Sequence, residues 1–264
     1  MSDDALTIAV TGAGGRMGQS VIRLAQAEGC RLVGAVERAS AASLGRDAGE
    51  LAGLGVMGVQ ISPDIGSALL GARCVIDFSS AESVVDIARV AARAGVAFVS
   101  GTTGLDGNAE KALDEAAKRV PVLWSPNMSV GIHVLAELVK MAARALEGFD
   151  VEIVETHHKL KVDAPSGTAK RLFEAVREAR EARMVTGREG KPGARLADEV
   201  GVLAVRGGDI IGDHTVHLFG PGEHIELTHR ATNRDLFARG ALRAAKAIAV
   251  KKPGRYVMAD VVGD

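Results

Sequence analysis

Cysteine is scarce in this 264-residue sequence, which holds two, Cys30 and Cys74, and no CxxC spacing. That scarcity counts against a disulfide framework and a structural zinc, and both thiols read as small core residues of a chain kept in a reducing compartment. No run approaches the roughly 18 apolar residues of a membrane span. The opening MSDDALTIAV lacks the basic region and cleavage signal of a secretion peptide, so a cytoplasmic location is expected, with no membrane partner. A formal net charge of -1 leaves no electrostatic footprint for a polyanion, and no nucleic-acid partner is expected. Internal repeats and low-complexity tracts are missing as well.

With 47% hydrophobic and 25% charged residues, the chain can bury a large interior and suits two modest domains. Up to about residue 125 it alternates short β-branched runs with Ala-rich helical patterns. The runs are LTIAV (6–10), RLVGAVE (31–37), CVIDF (74–78), VAFVS (96–100) and VPVLWS (120–125). Such alternation, with runs apolar enough to be covered on both faces, predicts βαβ units and a parallel sheet.

After Pro126 the texture changes. A helical pattern, HVLAELVKMAARALEG, precedes a strand-like VEIVETHH, a further helix, and then LAVRGGD, HTVHLFG and HIELTHRA, bounded by glycine-containing turns. The closing amphipathic LFARGALRAAKAIAV is expected to return to the first domain. REAREAR reads as a solvated helix face and GREGKPGAR as a surface loop. The expected fold class is α/β: a doubly wound parallel-sheet (Rossmann-like) domain over 1–128 and 238–264, with a second α+β domain containing an open mixed sheet over 129–237.

LTIAVTGAGGRMGQSVIRLA has the strand, glycine turn and helix order that a dinucleotide needs. Gly12, Gly14, Gly15 and Gly18 let the backbone approach a pyrophosphate at a helix N-terminus. The spacing is GxxGxxG rather than a strict GxGxxG, because Met17 takes the last position of that frame. At the end of the next run, Glu37 could accept from a ribose diol, as NAD requires, while Arg38 could pair with the phosphate of NADP. Both cofactors stay open, and dual use is reasonable. DFSS (77–80) and SGTTG (100–104), at successive strand ends, suit the nicotinamide ribose and carboxamide; each alone could be an ordinary turn or cap.

All seven histidines, at 133, 157, 158, 214, 217, 224 and 229, fall in the second domain or at its threshold. On a strand, His214 and His217 face opposite sides, and the adjacent His157 and His158 diverge likewise, so no metal is expected. ETHHKLKVDAPSGTA (155–169) instead offers imidazole for proton transfer and Lys161 for a proton or a fixed positive charge. Ser166, Gly167 and Thr168 supply donors at a helix N-terminus for a substrate carboxylate.

The chain resembles the 4-hydroxy-tetrahydrodipicolinate reductase (dihydrodipicolinate reductase) family of the bacterial diaminopimelate and lysine pathway. The residues that carry this are VTGAGGRMG, VERASAASLGRDAGEL, DFSS, SGTTG, SPNMSVGI, HHKLKVDAPSGTA, VRGGDIIGDHTVHL and PGRYVMADVVG. The resemblance implies that His157 donates and accepts a proton, that Lys161 is a second donor, and that His158, Gly167 and Thr168 bind a small dicarboxylate. It implies cofactor contacts, to NADH and/or NADPH, at Gly12, Ala13, Gly14, Gly15, Arg16, Met17, Glu37, Arg38, Gly101, Thr102, Thr103, Ser125, Pro126, Asn127 and Met128. A homotetramer built through the second domain's sheet is implied too. Trp124 departs from the smaller residue expected before Ser125. A reductase of an amino-acid semialdehyde, or a nucleotide sensor on a dehydrogenase-like fold, would explain the glycine turn but not His157 and Lys161.

Overall fold

The computed structural model describes residues 5–262. The chain divides into two compact units: the chain to Met128 together with the segment from Asp235 onward, and Ser129–Arg234.

The first unit begins β1 (Leu6–Thr11), α1 (Arg16–Ala25), β2 (Cys30–Val36), α2 (Ala48–Leu51), β3 (Ile61–Ser62), α3 (Ile65–Ala68), β4 (Cys74–Asp77), α4 (Ala81–Ala94), β5 (Ala97–Ser100), α5 (Gly107–Ala117) and β6 (Pro121–Trp124). The second unit then runs α6 (Val130–Ala145), β7 (Asp150–His157), α7 (Gly167–Ala179), β8 (Arg183–Val185), β9 (Glu199–Arg206), β10 (Asp213–Gly220) and β11 (Glu223–Arg230). The chain returns to the first unit with α8 (Asp235–Ile248), β12 (Gly254–Tyr256) and α9 (Ala259–Val262).

The first sheet has seven strands in the order β12-β6-β5-β4-β1-β2-β3, all paired in parallel. Its central strands are apolar on both faces up to their polar carboxyl ends, with Ile8, Val10, Val75, Ile76, Phe98 and Val99 essentially inaccessible, because helices cover both faces. Each such side chain contributes about 1.5–3 kcal/mol on burial. The strand order reverses between β1 and β4, which places a ligand crevice at their carboxyl ends. The two-residue β3 and the edge strand β12 were not among the expected runs; both are too short for period-2 patterning to register.

In the second unit the sheet order is β11-β10-β7-β9-β8, antiparallel across β11/β10 and β10/β7 and parallel across β7/β9 and β9/β8. The α+β expectation of a mixed sheet holds. Strand β7 alternates strictly, with Val151, Ile153, Glu155 and His157 on the buried side. Val151 and Ile153 join Val200, Val202, Val216 and Leu218 under α6 and α7.

REAREAR is not one helix face. Helix α7 stops at Ala179, Arg180 turns extended and donates to the Phe149 carbonyl at 2.7 Å, and Arg183 already begins β8. Strand pairing and this anchored guanidinium override a good helical propensity. The GREGKPGAR loop is likewise tied down: Arg188 bridges Glu152 and Glu199, and Arg195 bridges Glu152 and Asp150.

Candidate active site

The buried face of β7 changes character at its end. Register places Glu155 opposite His214 of β10 and His157 opposite Arg206 of β9, so four polar side chains continue the plane of the apolar core. Glu155 is fully buried, and His157 and His214 nearly so. A carboxylate in such a place must be fully hydrogen-bonded, and Glu155 is. Oε1 accepts from Arg206 Nη2 at 2.8 Å and from the Ser166 N–H at 3.1 Å. Oε2 accepts from Arg206 Nη1 at 2.9 Å and meets Nδ1 of His157 in a very short contact.

Burial alone would raise the Glu155 pKa, but the Arg206 and His157 hydrogen bonds outweigh it and hold the carboxyl below its ordinary range. Burial pushes His157 down, opposed by Glu155 and reinforced by Lys161 and Arg206. His214 stands edge-on to His157, centroids 5.1 Å apart, and burial pushes it down to about 3.

Past β7, the Lys159 N–H donates to Gly208 and the His158 N–H to Ile210, at 3.2 and 2.7 Å, which carries the chain round to Lys161. Its ammonium lies 2.7 Å from Asp163, a half-exposed partner that a ligand can replace. Ser166 caps α7 by accepting from the Ala169 N–H at 3.1 Å, and its Oγ lies 3.2 Å from His214 Nε2. The N–H and hydroxyl of Ser166 are therefore engaged inside the cluster. Gly167 is exposed and Thr168 half-buried in the first turn of α7, where N–H groups point out of the helix end. Nδ1 of His158 is buried and has no hydrogen-bond partner among the described residues.

In the first unit a cleft of about 950 Å³ is lined by Gly12, Gly14, Gly15, Glu37, Arg38, the Ala39–Ser43 segment, Phe78 and Ser79. Gly12 has φ +70°, and a Cβ there would collide with the Phe78 carbonyl, while one on Gly18 would strike the Gly12 carbonyl. Only glycine lets the β1 turn, the β4 turn and α1 meet. Helix α1 starts at Gly15 with no side-chain cap, leaving its N-terminal end to a ligand. The Glu37 carboxylate accepts from the N–H of Gly14 at 3.1 Å and of Arg38 at 3.0 Å. The side-chain-free backbone, the uncapped helix end and a carboxylate at the rim fit a dinucleotide's pyrophosphate and ribose.

Residues 6–128 match the family model described as dihydrodipicolinate reductase, N-terminus, and residues 131–262 match the one for the C-terminus. The chain belongs to the dihydrodipicolinate reductase family. A 4-hydroxy-tetrahydrodipicolinate reductase of Anaeromyxobacter dehalogenans (strain 2CP-1 / ATCC BAA-258) is 52% identical, with 97% of each chain covered. One from Archaeoglobus fulgidus is 48% identical over 97% of this chain and 99% of its own. Among solved structures, a dipicolinate-bound dihydrodipicolinate reductase from Paenisporosarcina sp. TG-14 shares the fold at a TM-score of 0.78 and 21% identity, covering 97% of this chain and 98% of its own.

Of the other positions that resemblance to this reductase family implies for the cofactor, Arg16, Thr103 and Pro126 are exposed, Met17, Gly101 and Asn127 are half-buried, and Ala13, Thr102, Ser125 and Met128 lie inside. Phe78 packs over Gly101, where a Cβ would meet its ring. Within DFSS and SGTTG, Ser79, Ser100 and Thr102 turn their hydroxyls to Asp77, whereas Ser80 meets Ser83 and Thr103 is exposed. Asp77 is fully buried and takes hydrogen bonds from Thr11 Oγ1 at 2.7 Å, Ser79 Oγ at 2.5 Å, Ser100 Oγ at 2.7 Å and Thr102 Oγ1 at 2.6 Å. Those hydroxyls point into the fold, leaving the turn backbones to face a ligand. Trp124 has a structural task here: its indole N–H donates to the Thr102 carbonyl at 2.9 Å and steadies the Gly101–Thr103 turn.

Sequence reasoning missed Glu155, Arg206, His214 and Asp77. Period-2 counting along VEIVETH puts Glu155 on the same face as two core residues and His157, and that was the available signal.

Proposed function

We propose that this protein is a 4-hydroxy-tetrahydrodipicolinate reductase, reducing 4-hydroxy-2,3,4,5-tetrahydrodipicolinate to tetrahydrodipicolinate with NAD(P)H and loss of water, in diaminopimelate and lysine biosynthesis. The observation that carries the assignment of roles is the His157 ring, held at Nδ1 by a buried, fully bonded carboxylate at the end of a strand. That arrangement belongs to a group that moves protons at its other nitrogen.

When bound, the nicotinamide supplies a hydride. The reaction consumes one proton with that hydride, and the 4-hydroxyl leaves as water. His157 gives and takes a proton at Nε2. Lys161 supplies a second proton and a positive charge against a carboxylate, exchanging Asp163 for the substrate. His158 and the N–H groups of Gly167 and Thr168 hold the dianion, the helix end favouring its charge. Gly12, Gly14 and Gly15 receive the pyrophosphate. Glu37 takes the ribose hydroxyls of NADH, and Arg38 the additional phosphate of NADPH, so both cofactors serve.

The enzyme acts in the cytoplasm as a homotetramer formed through the second unit's sheet. That sheet has α6 and α7 on one side, while its other side exposes Val205 and Phe219. Among the described residues no helix is long and apolar enough to cross a membrane.

The test is substrate-dependent oxidation of NADH and of NADPH, with substrate made in situ from pyruvate and aspartate semialdehyde. Lys161→Ala should lower turnover roughly 100-fold or more, the range for a lost general acid, with cofactor affinity little changed. No oxidation by the parent enzyme despite cofactor binding would sink the assignment.

A further inference from the structure

We infer that Glu155 is the positioning residue of His157, locking its imidazole as the Nδ1–H tautomer with a bare Nε2, and that Arg206 is the counter-charge that keeps the ring neutral at rest. The deduction begins with donors and acceptors. Three of the four groups on Glu155 are the Arg206 Nη1 and Nη2 and the Ser166 N–H, which can only donate. With the bidentate Arg206 beside it the carboxyl is held below its ordinary range, so it is ionised and accepts at every position. The fourth partner, Nδ1 of His157, must then carry a hydrogen. Nε2 is left as the atom that exchanges protons, and it faces Gly212, where a Cβ would stand 2.9 Å away. The absent side chain keeps that nitrogen approachable.

The surroundings set the charge. Around His157 stand Glu155 on its own strand, Arg206 on β9, His214 on β10 and Lys161 on the loop after β7, with Asp163 paired to Lys161 and Ser166 bonded to Glu155 and next to His214. Among the described residues Glu155 is the one buried negative charge in contact with the ring, and the bidentate Arg206 neutralises it. Lys161 adds a further positive charge, while His214 stays neutral down to about pH 3. The ring rests uncharged and takes up its working proton when a dianion enters the site, because nearby negative charge favours imidazolium.

The first test needs no substrate: nitrogen–proton correlation spectra of the histidine rings in the labelled full chain, with His157 assigned by loss of its signal in His157→Asn. At pH 7 the expected pattern is a protonated Nδ1 and a pyridine-like Nε2. An Nε2–H tautomer, or a doubly protonated ring, would overturn the inference.

The second test rests on the reductase reading. His157 must carry its proton in the substrate complex, so kcat falls as pH rises through its pKa. Glu155→Gln removes a charge that raises this pKa, and should displace the inflection to lower pH and cut kcat about 100-fold or more, as misoriented histidines do, with KM within about threefold. Arg206→Gln should displace the inflection to higher pH, and Glu155→Asp should recover part of the rate. Displacements in the same direction, or none, refute a positioning role. If the parent enzyme shows no reductase activity, the reductase reading fails while the ring spectra still decide the tautomer.

Discussion

Asp77→Asn is a demanding perturbation because it removes charge while conserving shape. The Asp77 carboxylate takes four hydroxyls at 2.5–2.7 Å and the Ser79 N–H at 3.1 Å. These tie together the ends of β1, β4 and β5. An amide presents one acceptor oxygen and an NH₂ group that only donates, so the pair of hydroxyls on one side loses its acceptor. At about 1.5–3 kcal/mol for each hydrogen bond to a charged group, the bound is roughly 6 kcal/mol. Hydroxyls rotate and one can turn to accept, which brings the expected loss to about 3 kcal/mol. At about 2–4 °C per kcal/mol for units of this size, the melting temperature should drop by roughly 6–12 °C. Calorimetry at pH 7 reads this directly, and the dissociation constant for NADPH should rise in parallel as the Gly101–Thr103 and Phe78–Ser80 turns loosen. A melting temperature within about 2 °C of the parent would show that the hydroxyls hold the turns without the charge.

Two other expectations have simpler readouts. Glu37→Ala should weaken NADH more than NADPH in direct titrations, because the lost carboxylate would serve the unphosphorylated ribose; an equal loss for both would remove Glu37 from that task. Stability should fall as pH drops below 6.5, since the unfolded chain takes up a proton there that buried His214 refuses until about pH 3. Between pH 6.5 and 5 this amounts to about 2 kcal/mol, visible in the urea midpoint, and above pH 6.5 the full contribution is present. His214→Gln should flatten that slope, and an unchanged slope would place the titration elsewhere.

The architecture was legible because its signals are local and repeated. β-branched runs alternating with amphipathic helices announce a parallel sheet wherever they occur, and Gly12 is needed for a backbone reason visible in the spacing. The chemistry was legible in part: His157 and Lys161 stand out because imidazole and ammonium cluster in one short stretch. What stayed hidden depends on register. Arg206 meets Glu155 because β9 pairs with β7 in one alignment, and no feature of LAVRGGD tells which strand it joins. Asp77 looks like any strand-end carboxylate until β1, β4 and β5 are side by side. REAREAR misled because its composition favours helix, whereas a carbonyl at Phe149, distant in sequence, decides where the helix stops.

The return of α8 and β12 to the first unit has a consequence for synthesis. Chains emerge from the ribosome N-terminus first, yet the first unit receives its last edge strand and the helix that buries Ala241, Leu242 and Ala245 only after Arg234 has been made. The uninterrupted segment Ser129–Arg234 can close its own core earlier, while the longer-range partners of β6 and α1 are still untranslated. The part of the molecule that starts first is the part that finishes last, and in the interval the flank of β6 that β12 will cover is an open strand edge.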